Sequence, residues 1–504
     1  MQNHALALEL AYTAVEECLR LGAAYAEARH EQHEVEEVRT RNRELVTAHR
    51  TGDRGIGIRV LVRGTWAFVA ISEPNRHDVV VGARRVVESA RAAAILRDRP
   101  ASLSETEPQR GAYKTVFQTD PAHVPLDRKL ELLRSIDDRL LARDGIVLAR
   151  SHLRFRRRRK ILVTSEGSEV EQDLLTTGVG FEAGASRGEG LQTVTFPGGR
   201  GSVAGRGWEW VEGLGLVDAT DPVADRALEQ LSAEACPAGD RTLILDAEAV
   251  SSHLLQTVRV LEADRIFGLE TAGQSVPVPS SGAGSRLGSP HLDLSLDPQL
   301  EGGAGSAGFD DEGMPAQAVS LVQAGTVQSL MTGREAAERL RQSNSTGSMR
   351  AASWSVRPHV RASNLVMGSG EAADMDALVA DTADGVVVQG LRALSLDPAS
   401  GEFVAVGELA WEVKGGQRVR PLRNPAFRGS VLDFWGRLDA ATQNAETSGQ
   451  HGGPKGRPLQ FLSTGVRAPA ARFQGVEIGT SDLPRSDSVD LPIVVGTGEL
   501  PPES

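Results

Sequence analysis

The chain has 504 residues and a formal net charge of −12, with 55 basic against 67 acidic side chains. That length exceeds a single compact core and predicts two or three domains, and the acidic balance argues against general nucleic-acid binding, which needs a basic field to neutralise phosphates. Two distant cysteines, Cys18 and Cys236, exclude a disulfide framework and point to a reducing cytoplasm, while no apolar run reaches the ~20 residues of a membrane span and no signal peptide is evident.

Hydrophobic residues make up 40% of the chain but aromatics only 4%, so Leu, Val, Ile and Ala must fill the cores. Residues 5–21 read as a helix stopped at Gly22. Strands follow around Ala24–Arg29 and Glu34–Arg39, and Gly55–Ser72 reads as a hairpin turning at Arg63-Gly64. Asp78–Ala94 returns to helical spacing. A polar stretch over 96–112 forms a linker, and Leu126–Leu141 predicts a second amphipathic helix. Strands at Lys160–Thr164 and Gln192–Phe196 and a helix at 222–234 lead to Cys236-Pro237. Beyond Thr242, the strand Leu243–Leu245 runs into Asp246, a good N-cap for a helix extending to Arg265. Short strands and glycine turns dominate from there, with clear examples at Leu378–Gln389 and Phe403–Val413. Asn444–Gly456 reads as a loop, and the Pro-rich, acidic stretch 481–504 as a flexible tail. The expected class is α+β: an N-terminal α/β domain over 1–112, a middle α/β domain over 113–236 and a β-rich C-terminal domain over 237–480.

Six separated segments carry a resemblance. They are Arg54-Gly55-Ile56-Gly57-Ile58-Arg59-Val60-Leu61 with Gly64-Thr65-Trp66-Ala67-Phe68; Thr164-Ser165-Glu166-Gly167; Phe309-Asp310-Asp311-Glu312-Gly313-Met314-Pro315; Gly347-Ser348-Met349-Arg350 after Gly325; Pro358-His359-Val360-Arg361-Ala362-Ser363-Asn364; and Lys455-Gly456-Arg457-Pro458 before Gly465. In this order and spacing, from about residue 5 to 480, the chain resembles the TldD/PmbA family, once called modulators of DNA gyrase. The resemblance implies a three-domain metallopeptidase scaffold with its active site in the C-terminal domain. It also implies dimers that pair a TldD-type with a PmbA-type subunit around a chamber for unfolded or short peptides.

TldD-type members carry His-Glu-x-x-x-His on the first C-terminal-domain helix, shortly before Leu-Glu-x-Asp, and a cysteine ligand from a late loop. Two neutral imidazoles hold zinc, and the carboxylate accepts a proton from the metal-bound water. Here Leu261-Glu262-Ala263-Asp264 sets the register and places Leu254 and Leu255 at the His-Glu positions and Arg259 at the second His. Leucine has no lone pair and arginine stays protonated. The loop Thr447–Pro458 holds no cysteine. Val250, Leu254, Val258 and Leu261 form an apolar helix face instead, with Arg259 expected to pair with Glu262 on the exposed side.

The leading expectation is a metal-free pseudo-peptidase subunit that completes the chamber of a zinc-bearing TldD-like partner and binds peptide, with no nucleic acid or membrane involved. Three alternatives stay open. One is a repurposed enzyme in peptide-derived natural-product maturation using Arg259, Glu262 or Asp264. Another is a displaced metal site built on His253 and His451, and the last is a homodimeric binding protein. The basic run Arg154–Lys160 reads as a solvated strand edge rather than a phosphate patch. Asp310-Asp311-Glu312 reads as a turn rather than an oxygen-ligand metal site. Gly302–Gly308 lacks the Lys-Ser/Thr of a phosphate loop, and Ser165 and Ser363 lack a partnered His.

Overall fold

A computed structural model describes residues 2–96, 99–188, 190–269, 282–397 and 400–481. The expected tail over 482–504 lies outside the described residues. Strands β1 (Tyr25–Arg41), β2 (Glu44–Val62), β3 (Thr65–Ser72), β4 (Arg110–Lys114), β5 (Ile146–Thr164), β6 (Glu169–Ala185), β7 (Gln192–Phe196) and β8 (Ser202–Ala204) form one sheet, ordered β3-β2-β1-β5-β6-β4 with β7 and β8 on β6. This sheet runs across residue 112, so the first two sequence segments share a backbone ladder. The β2–β3 hairpin turns at Arg63 and Gly64, both with positive φ (48° and 72°), the conformation of a two-residue turn that matches strand twist.

Helices α1 (Gln2–Arg20), α2 (Arg76–Ala94), α3 (Leu126–Leu141), α4 (Trp208–Gly213) and α5 (Thr220–Gln230) cover one face of the sheet. Their apolar stripes supply two cores, one around Leu10, Ile58 and Val87 and one around Leu133, Phe155 and Trp208. The two segments read as separate strands between Ala24 and Arg39 are one strand, β1.

The basic run is not an edge. β5 lies inside the sheet, between β1 and β6. Its register sets Arg154 opposite Glu37, Arg157 opposite Glu34 and Lys160 opposite Glu31, and β1 supplies part of the countercharge, with Glu31 pairing Arg158 at 2.8 Å and Glu34 pairing Arg159 at 2.5 Å. Side chains alternate across a strand. Phe155 and Ile161 therefore join the helix-covered cores, while Arg156, Arg158 and Lys160 turn to the other face. There they bond Ala352 O (2.6 Å), Ala351 O (3.1 Å) and Asp311 (2.8 Å) of the C-terminal domain.

That domain is built on a second sheet. Its strands are β9 (Glu234–Ala235), β10 (Gly239–Leu245), β11 (Leu294–Leu296), β12 (Val319–Gln323) and β13 (Thr326–Val327), with a separate pair β14 (Met349–Arg350) and β15 (His359–Val360). It continues through β16 (Asn364–Met367), β17 (Asp384–Leu396), β18 (Glu402–Lys414), β19 (Gln417–Arg423), β20 (Pro425–Ser430), β21 (Leu438–His451) and β22 (Ser463–Thr480). The order is β13-β12-β11-β16-β22-β10-β17-β18-β19-β9, with β20 bridging β18 and β22, and β21 beside β22.

Two segment readings change. Leu378 belongs to a short helix, Met375–Ala380, that precedes β17. Most of Asn444–Gly456, read as a loop, continues β21. This strand pairs along β22 as far as His451 opposite Ser463, and it is exposed at Asn444, Glu446 and Thr447. A strand partnered on one side only tolerates the polar composition that suggested a loop.

Candidate functional site

The C-terminal domain's first helix, α6 (Ala247–Thr257), starts as its sequence predicts, with the Asp246 carboxylate accepting from Ala249 N at 2.8 Å. It does not run unbroken to Arg265. A 3₁₀ turn at Val258–Leu261 and a short helix at Ala263–Ile266 follow. Thr257 Oγ1 bonds back to His253 O at 2.9 Å and accepts from Trp435 Nε1 at 3.1 Å, a competition that loosens the α-helical ladder at that point.

Leu254 and Leu255 are buried in the largest core. Full burial of a leucine contributes roughly 2 kcal/mol, so these side chains are packing elements. Arg259 donates to Pro454 O at 2.9 Å and so ties the 3₁₀ turn to the late loop. Neither an aliphatic pair nor a guanidinium fits a dication. Among the described residues, no group of three or more His, Cys, Asp and Glu side chains is arranged to hold a metal ion.

His253 is fully buried among Phe434, Phe403 and Trp435, with ring centroids 4.3, 4.6 and 5.4 Å away. Neither ring nitrogen has a hydrogen-bond partner among the described residues, and burial pushes its pKa down to about 3. His451 ends β21, and its side chain lies outside the described residues.

Glu262 and Asp264 are buried, not exposed, and both meet Lys455. The Lys455 ammonium donates to Glu262 at 2.8 Å, Asp264 at 2.7 Å and Val360 O at 2.8 Å, which uses all three of its protons. Arg265 Nε adds a bond to Glu262 at 2.7 Å, and Arg361 stands 3.9 Å away. Burial acts to raise the Glu262 carboxyl, but Lys455, Arg265 and Arg361 outweigh it and hold it well below the usual carboxylate range. Arg361 also bonds Gly453 O at 2.8 Å. Arg259, Arg361 and Lys455 together thus fasten the loop that in TldD-type relatives would carry the cysteine ligand. Lys455 was legible as part of a motif, but its role was not, because its carboxylate partners lie some 190 residues earlier.

Beside this network opens a cleft of about 180 Å³ between the two sheets, bordered by Arg59, Trp66, Asp264, Glu312 and His359. Arg59 stacks 3.7 Å from the Trp66 ring centre and bonds Glu312 at 2.9 Å. Trp66 Nε1 donates to Glu335 at 2.8 Å. His359 is buried with Nε2 lacking a partner among the described residues. Burial, with Arg357 and Lys455 nearby, pushes it down to about 3, so its imidazole is neutral at ordinary pH.

The Asp310-Asp311-Glu312 stretch closes a turn, as its sequence suggests. Asp310 accepts from the backbone of Glu312, Met314 and Met349 at 2.8–3.1 Å. Burial and the neighbouring Glu312 push its carboxyl up to about 8. Asp311 and Glu312 are taken up by Lys160 and by Arg59.

Comparison with known proteins agrees with this architecture. Residues 26–94, 119–234 and 238–480 match the models for PmbA/TldA metallopeptidase domain 1, central domain and C-terminal domain. The chain is 25% identical over 410 residues to a metalloprotease of Methanocaldococcus jannaschii, covering 80% of this chain and 86% of that one. It is 24% identical over 440 residues to a TldD-homologous metalloprotease of Haemophilus influenzae, covering 85% and 87%. The fold matches a Thermotoga maritima protein named as a modulator of a DNA gyrase, with a TM-score of 0.75 at 15% identity, over 94% of this chain and 99% of that one. It also matches TldE from Thermococcus kodakarensis, with a TM-score of 0.70 at 15% identity, over 92% and 100%. With all three of its domain models matched in order along the chain, this protein belongs to the PmbA/TldD metallopeptidase family.

Proposed function

We propose that this chain is a metal-free subunit of a PmbA/TldD-type peptide-processing assembly, acting in the cytoplasm beside a TldD-like partner that carries zinc. The observation that supports this reading is the chemistry at the three helix positions. Leu254 and Leu255 are core residues and Arg259 is a cation bonded to the loop, while the scaffold around them is intact. The chain binds extended peptide in the cleft between its sheets and completes the partner's chamber. Adding a strand to a sheet edge needs no metal. Both cysteines are buried free thiols, in keeping with a reducing compartment.

The test is peptidase activity of the purified chain alone and after co-expression with a relative bearing His-Glu-x-x-x-His. The expected result is no cleavage alone and chelator-sensitive cleavage by the pair. Chelator-sensitive cleavage by the chain alone overturns the reading.

A second reading, altered chemistry in peptide maturation, is favoured by Asp264 and the neutral His359 bordering one cleft. Loss of product in His359→Ala with assembly retained supports it; unchanged product removes it.

A further inference from the structure

A second, small cavity, of about 70 Å³, lies where the inner face of β5 meets the C-terminal domain. Four cations line it: Arg156, Arg158, Lys160 and Arg350. Two are balanced, since Arg158 pairs with Glu31 at 2.8 Å and Lys160 with Asp311 at 2.8 Å. The other two are not. Arg156 bonds the carbonyl of Ala352 at 2.6 Å, and Arg350 bonds the carbonyls of Ala362 and Ser463. Among the described residues, neither has a carboxylate within ion-pairing distance. Asp310, which also lines the cavity, is taken up by the backbone N–H groups of Glu312, Met314 and Met349, and burial and Glu312 push its carboxyl up to about 8. Arg158 Nε is buried with no acceptor among the described residues.

Arg156 and Arg350 are half-buried, and a partly desolvated cation without an adjacent counterion carries a cost that an incoming anion recovers. The strain shows in both guanidinium groups. Burial, then Arg158 and Arg154, push Arg156 down to about 9, and burial, then Arg361 and Arg158, do the same to Arg350. The planar fork of arginine matches a carboxylate bidentately. Leu175, Leu462 and Phe309 form one apolar part of the wall, while Thr176, Ser306 and Ser363 bring hydroxyls to the rest, beside the chain at Gly303–Ala307. The apolar part offers the last side chain of a peptide a contact that a lone inorganic anion does not make.

We propose that this cavity is a carboxylate-binding subsite that takes the C-terminal end of a peptide, with Arg156 and Arg350 holding the terminal carboxylate and the apolar part of the wall receiving the last side chain. The assignment rests on the peptide-binding reading given above and adds a direction to it, since a peptide anchored at its C-terminus enters in one orientation.

The experiment uses the full chain and one fluorescein-labelled hexapeptide made with a free C-terminal carboxylate and as the C-terminal amide, with binding read by anisotropy. The free acid is expected to bind at least tenfold more tightly than the amide. Arg156→Gln is expected to bring the two within about twofold of each other, chiefly by weakening the free acid. Arg156→Lys keeps the charge but loses the fork, and gives an intermediate ratio even where the glutamine variant folds poorly. Equal binding of acid and amide by the parent chain overturns the subsite and leaves peptide binding intact. No binding of either overturns both. Inorganic phosphate that binds the chain in an Arg156-dependent way, while acid and amide peptides bind equally, would identify an anion site unrelated to peptide termini and overturn the assignment.

Discussion

The Nζ of Lys455 lies 2.8 Å from Glu262 and 2.7 Å from Asp264, so one buried ammonium bridges two buried carboxylates contributed by the turn after α6, with Arg265 supplying the second positive charge at Glu262. This triad occupies the ground between the helix that would hold a metal in TldD-type relatives and the loop that would supply its last ligand. The charge that closes the site comes from a lysine.

Removing the ammonium leaves Glu262 with Arg265 and Asp264 with the Val360 N–H, but takes away the charge that both buried carboxylates share. Lys455→Met is expected to destabilise the chain by about 3–5 kcal/mol, the range for breaking one side of a buried ion pair. Adding Glu262→Gln and Asp264→Asn to the same chain recovers much of the loss. Denaturant titration of the single and triple variants measures both. A loss under about 1 kcal/mol for the single variant contradicts the triad's structural role.

His253 makes stability depend on pH. Its pKa is about 3 in the fold against an ordinary 6.5, so the unfolded chain takes up a proton between those values while the native chain does not. Stability therefore falls as pH drops from about 6.5 toward 3, by an amount on the order of a few kcal/mol. His253→Leu puts an apolar group of similar size among the same rings. It is expected to leave stability at pH 7 unchanged or slightly raised, because an unpartnered polar group is removed. Thermal midpoints at pH 7 and pH 4.5 check this: the acid-induced drop shrinks in the variant. Metal content follows in the same preparations, and stoichiometric zinc lost with His253→Leu would revive a displaced metal site.

Glu408 acts in the opposite direction. Burial pushes its carboxyl up to about 8, with Arg392 only partly offsetting the effect, and it accepts from Thr195 N at 2.9 Å. The native chain holds this proton at pH values where the unfolded chain has released it. The contribution is fully present below about 4.5 and is lost as pH rises through 8. Glu408→Gln keeps the acceptor and removes the ionisation. At pH 8 it is expected to gain on the order of 2 kcal/mol relative to the parent, with little gain at pH 4.5. Equal effects at both pH values contradict it.

Arg259 separates passive support from altered chemistry. Its bond to Pro454 O is one charged hydrogen bond on a half-buried residue. Arg259→Ala is expected to lower stability by about 1–2 kcal/mol and to quicken proteolysis near the 452–460 loop. In a complex with a metal-bearing relative, the turnover number should stay within about threefold of the parent's. A loss of several orders of magnitude with assembly intact assigns the residue to chemistry.

Local rules made much of the architecture readable. Leu126–Leu141 has the periodicity of a helix and is one; Arg63-Gly64 has the chemistry of a tight hairpin turn and makes one; Asp246 caps α6. These features depend on neighbours a few residues apart. No His-Glu-x-x-x-His string occurs in the sequence. What could not be read were partners far apart in the chain. Arg154–Lys160 looked like a solvated edge because its neutralising strand, β1, lies more than 100 residues earlier and its other contacts about 200 residues later. Glu262 looked exposed because nothing nearby in sequence indicates that Lys455 reaches it. The polar strand β21 looked like a loop because its order comes from the ladder with β22 and not from its own propensity. Sequence by itself determined the family scaffold, as its motifs reside in residue identity and short spacing. Tertiary structure alone decided which charges are buried, which are neutralised, and which, at Arg156 and Arg350, are left facing a cavity, because electrostatic energy depends on distance through space and on burial, and a linear order of residues encodes neither.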